Sequence, residues 1–132
     1  MIAGIGGSGA MVKLYCRIAT IVFAINTIFS VSVKAYQQRL ADDWLHSLLH
    51  LLSALFGVYA GWRATSALPA KAFTWGIGML YLGLGLYGWF TPGLFLNSIL
   101  AIPLGLVDNI FHLVLSASAL IITLHERLPV DG

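Results

Sequence analysis

Four apolar runs separated by short polar breaks leave this chain few ways to fold. The cleanest of them, Phe73 to Phe90, contains no Asp, Glu, Lys, Arg or His. A run of that length and character suits a membrane-spanning helix, which needs about 20 mostly apolar residues. In the bilayer core no water can satisfy backbone N–H and C=O groups, so only helices and closed barrels cross it. Composition agrees: 59% of the 132 residues are hydrophobic and 9% charged, with a mean hydropathy of +0.90. That is too apolar for an ordinary soluble domain. The expected fold class is therefore all-α, a polytopic membrane four-helix bundle forming a single domain over residues 11–128. The lipid bilayer is the first partner this implies. A net charge of +2 from scattered basic residues argues against nucleic acid.

Spans are expected at about 14–34, 43–63, 72–90 and 107–125, between a Gly-rich tail (1–10) and a short closing tail (129–132). Met11 offers an alternative start. Val33-Lys34-Ala35 would pass as a signal-peptide cleavage site, but Asn26, Thr27 and Ser30 make the first run more polar than a signal core. It reads as a span. Asp42 and Asp43 are expected to cap the second helix, and residues 66–71, with Pro69, to form a loop. The stretch 94–102, closed by Pro103, is too short to cross and is expected to lie in the interface. Trp44, Trp62, Trp75 and Trp89 fall near helix ends, as an aromatic belt would. With four crossings, Lys13, Arg17, Arg63, Lys71 and Arg127 lie on one side, against Lys34 and Arg39 on the other. The positive-inside rule then places both termini in the cytoplasm.

The chemistry lies in a repeated motif. Asp42-Asp43-Trp44-Leu45-His46 and Asp108-Asn109-Ile110-Phe111-His112 each open an apolar run, with an acid one helical turn before a histidine. On the second helix Asp42, His46, His50, Ser53, Gly57 and Gly61 share one face, and on the fourth Asp108, His112, Ser116 and Ala119 form a weaker version. A single offset carries Asp42 to Asp108, His46 to His112 and His50 to Ser116, which suggests a parallel two-helix repeat. The second and fourth helices would then run in the same direction, with His46 and His112 at one depth and His50 a turn deeper, about 5.4 Å.

Three readings of these groups stand side by side. His46 and His112 ligate heme, or one of them ligates a chlorophyll-type pigment, with Asp42 and Asp108 fixing the imidazole tautomers. Alternatively His46, His50 and His112, with or without an acid, hold a divalent metal such as zinc or copper. In the third, each histidine only satisfies its own acid or a neighbouring helix, the commonest fate of buried polar groups. Gly76, Gly78, Gly83, Gly85 and Gly88 make the third helix a packing element that lets backbones approach closely. On this basis the expected role is a non-enzymatic accessory or scaffold protein that packs against other membrane subunits or itself, with a cofactor protein as the competing class. A small oligomeric channel or transporter is disfavoured, since one copy offers little room for a pathway. No nucleophile elbow and no phosphate-binding loop is present. Cys16 has no cysteine to pair with and reads as a packing residue.

Three segments carry a resemblance: His46-Ser47-Leu48-Leu49-His50-Leu51-Leu52, the Gly-rich stretch from Gly78-Met79-Leu80-Tyr81-Leu82-Gly83 to Gly88, and Val107-Asp108-Asn109-Ile110-Phe111-His112-Leu113. Over roughly residues 42–120 the chain resembles a family of uncharacterised bacterial four-helix membrane proteins, known as a domain of unknown function. The resemblance implies that fold and a membrane location, and no activity.

Overall fold

The computed structural model describes residues 9–98 and 100–127. The two expected tails lie outside these residues except for Gly9 and Ala10. Helix α1 spans Ala10–Tyr36, and α2 spans Trp44–Val58 and continues through one π-helical turn, Tyr59–Arg63. Helix α3 is Leu68–Tyr87, strands β1 (Gly93–Leu94) and β2 (Ile102–Pro103) form a small antiparallel ribbon, and α4 is Leu106–Arg127. α1, α2 with its π turn, and α4 are long and apolar enough to cross a membrane. α3 has 20 residues, about 30 Å at 1.5 Å per residue. Its glycines, Trp75 and Lys71 dilute its hydropathy.

The helices turn many large apolar side chains outward. Ile25, Ile28 and Phe29 of α1, Leu55 of α2, and Val114 and Ile121 of α4 are all exposed, whereas Thr20, Thr74, Ser116 and three histidines are buried. An apolar exterior with polar groups buried inside suits a lipid surround. Small residues set the contacts between neighbours. In the α1–α2 pair, Gly57 lies against Thr20 and Gly61 against Arg17. In the α3–α4 pair, Gly78 meets Leu120, Gly85 meets Leu113 and Gly88 meets Asn109. Both pairs are therefore antiparallel; Gly9 and Met11 meet Glu126 and Tyr15 meets Leu115, so α4 is antiparallel to α1 as well, and α2 and α4 run in the same direction, as the repeat requires. Phe23, Phe73, Tyr81 and Ala119 fill the centre, with Cys16 packed beside them and its Sγ 3.5 Å from the Ala70 carbonyl.

Several boundaries differ from expectation for local reasons. Pro69 sits in the first turn of α3, where its missing N–H costs nothing, so the preceding loop is shorter than residues 66–71. The π turn delivers the Gly61 carbonyl to Arg17, whose Nε donates to it over 2.8 Å. The described residues of the stretch 94–102 carry the chain from β1 around to β2; Gly93 is required there because a Cβ would strike the Ile102 carbonyl. At the other end α1 has no acid in its first turn. Glu126 of α4 supplies one, accepting from the Gly9 and Met11 backbone N–H groups at 2.9 and 3.1 Å.

The four glycines of α3 and its C-cap Gly88 do not share a face. Gly78, Gly85 and Gly88 pack on α4, while a Cβ at Gly76 or Gly83 would meet nothing within 4 Å. Gly85→Ala should therefore lower stability by about 1–3 kcal/mol through overpacking against Leu113. Gly83→Ala should be neutral or stabilising by up to about 1 kcal/mol. Thermal melts in detergent check the pair; equal losses would contradict this packing.

Candidate metal centre

α2 projects His46 and His50 from one face, a turn apart, and α4 brings His112 alongside. Ring centroids are 4.5 Å apart for His46 and His50, 5.6 Å for His46 and His112, and 6.1 Å for His50 and His112. All three rings are buried, at 5%, 5% and 0% exposure. One ring nitrogen from each lies within 4.8 Å of the others.

Each α2 histidine has one nitrogen committed. Nδ1 of His46 lies 3.2 Å from Asp43 Oδ2, and Nδ1 of His50 lies 2.7 Å from Asn26 Oδ1 on α1. Both partners are oxygen acceptors, so each Nδ1 carries the proton and donates, and each Nε2 presents a lone pair. Those Nε2 atoms, and both ring nitrogens of His112, have no hydrogen-bond partner among the described residues. A buried polar atom left unpaired costs about 1–3 kcal/mol. The floor of the cluster is aromatic: Tyr81 lies 4.9 Å from the His112 ring, with Phe23 and Phe111 5.5 and 6.0 Å from His50. The Tyr81 hydroxyl is hydrogen-bonded to Ser53 at 3.3 Å.

The acids take other positions than the four-residue spacing suggests. Asp42 is exposed and pairs with Arg39 at 2.7 Å, and it is Asp43 that reaches His46. Asp43 occupies the expected N-cap position of α2, but in a left-handed conformation with φ 57° and with no side-chain cap bond. That turn swings its carboxylate toward His46 and toward Lys34, 3.7 Å away. Asp108 accepts from the Gly105 backbone N–H at 3.1 Å and closes the first turn of α4, making no bond to His112. It borders a small cavity of about 90 Å³ beside His46 and His50, together with Asn26, Ser30, Asp43 and Ser47. Asn26 was legible as the polar residue of the first run; its pairing with His50 was not.

The fold is a helical membrane-type chain with a histidine cluster at one end, and its family follows. Residues 35–125 match the family described as Domain of unknown function (DUF4383), and the chain belongs to it. The match takes in the three histidines and Asp43, while Asn26 and Lys34 precede it. No curated protein and no solved structure matches the chain.

If the unpaired nitrogens are as costly as their burial suggests, removing them should help the metal-free protein. In chelator, His112→Phe should melt no lower than wild type, whereas Asn26→Leu should lose about 1–3 kcal/mol by stranding His50 Nδ1. A large loss for His112→Phe alone would mean that its ring has a structural partner.

Proposed function

We propose that this is a small four-span membrane protein that binds one divalent transition-metal ion on His46, His50 and His112, near the non-cytoplasmic surface. The observation that carries this reading is the convergence of three buried imidazoles, one ring nitrogen of each lying within 4.8 Å of the others, with Nε2 of all three lacking a hydrogen-bond partner among the described residues. A tetrahedral ion with bonds of about 2.0–2.1 Å holds its donors roughly 3.4 Å apart, so the rings need close by no more than about 1.5 Å. Oxygen acceptors on Nδ1, as at His46 and His50, are the usual companions of metal-ligating histidines. An all-imidazole set suits zinc or copper. Heme and chlorophyll fit less well. The rings touch one another, and the adjoining cavity of about 90 Å³ is the volume of about three waters at ~30 Å³ each.

Chain path supports four crossings. α2 and α4 both begin at the histidine end, so α3 has to return the chain through the same thickness. The bias of basic residues toward the opposite end supports cytoplasmic termini.

Elemental analysis and zinc or cobalt titration of protein purified in mild detergent test the reading. One ion per chain is expected, with at least a tenfold affinity loss for each single His→Ala and no binding after His46→Ala with His112→Ala. Folded, metal-free protein that takes up neither ion would overturn it.

A scaffold role has one observation in its favour. Gly76 and Gly83, two turns apart, face outward with open space above them, the pattern that lets a second helix approach closely. Gly76→Leu with Gly83→Leu should then abolish self-association or partner binding in detergent. Unchanged assembly would remove the role.

A further inference from the structure

Above the histidines, between the α1–α2 connection and the β1–β2 ribbon, lies an open cleft of about 890 Å³. Its walls carry Lys34, Gln37, Arg39, Asp42, Asn97 and Ser98, a set of polar side chains suited to hydrated ions. Asp43 lines this cleft and also the small cavity beside His46 and His50. Among the described residues the two spaces share no other. Lys34 sits at the same junction: its Nζ donates to the Asp43 carbonyl at 3.3 Å and to Ser47 Oγ at 3.0 Å, and it ion-pairs with Asp43 Oδ2 at 3.7 Å. Ser47, like Asp43, lines the inner cavity.

Two other directions are unfavourable for a cation. Phe23 and Tyr81 lie below the cluster and are fully buried. The lateral groove along α1 is lined by Val22, Ile25, Phe29 and Phe111 around Asn26, a lipid-facing surface where a charge is costly.

Resting on the metal reading, we propose that the outer cleft is the route by which the ion reaches the three imidazoles, and that the Lys34 ammonium plugs it. The tethered cation holds Asp43 and Ser47 together across the passage and repels an arriving divalent ion at close range. Loading then requires Lys34 to swing into the cleft, releasing Asp43 from the ion pair while Asp43 keeps its bond to His46. The plug governs the rate of loading; the imidazoles govern how much is bound.

Stopped-flow uptake of cobalt, read from its ligand-field absorption, tests this in purified full-length protein. Lys34→Met should load at least tenfold faster than wild type, and Lys34→Arg at close to the wild-type rate, all reaching one cobalt per chain. Ala41→Trp, on the cleft wall and away from the histidines, should slow loading several-fold at unchanged stoichiometry. If Lys34→Met and Ala41→Trp both load at the wild-type rate to one per chain, the ion arrives another way and the plug is wrong, while the centre survives. If wild type binds no cobalt, the centre itself falls and the plug with it.

Discussion

The hydrogen bond on Nδ1 of each α2 imidazole is the interaction on which the rest depends. Asp43 and Asn26 hold those two nitrogens, which fixes the tautomer and leaves an unshared lone pair on each Nε2. Without these oxygens, either ring could rotate or transfer its proton and satisfy itself locally. With them, each Nε2 is left without a partner among the described residues, beside His112 from the opposite pair of helices. The two oxygens come from different places, the α1–α2 connection and the interior of α1. Assembly of the cluster is therefore coupled to the docking of α1.

The architecture around the cluster follows from lipid. Apolar bulk faces outward, so association between helices relies on close packing and polar contacts more than on hydrophobic drive. Gly57, Gly61, Gly78, Gly85 and Gly88 permit the approach, and the buried Thr20, Thr74 and Ser116 bond within their own helices. Glu126 ties the start of α1 to the end of α4. The histidine end is held by Lys34 and Asp43, which join α1 to α2. One polar clasp at each end and small residues between them keep two antiparallel pairs in register.

The helices were legible because apolar runs bounded by charges have one reading in a bilayer, and the shared direction of α2 and α4 follows from counting them. The gathering of His46, His50 and His112 was legible from the helical face they occupy. Their acids were not. Asp42 lies one turn from His46 in an ideal helix, but α2 begins only at Trp44, so helical spacing does not apply to it. The left-handed turn at Asp43 brings the neighbouring carboxylate in instead. Asp108 is inside α4 and could have met His112, but it closes the helix start on Gly105. The α3 glycines serve two surfaces that a count does not separate: Gly78 and Gly85 repeat on the inner face and Gly76 and Gly83 on the outer. The π turn had no sequence mark beyond Gly61.

The centre is a claim about donors, and zinc-edge X-ray absorption on loaded protein reads donors directly. The account predicts three imidazole nitrogens at about 2.0–2.1 Å, with the multiple-scattering pattern of rings. A shell of water oxygens with one imidazole or none, or one containing sulfur, would contradict it.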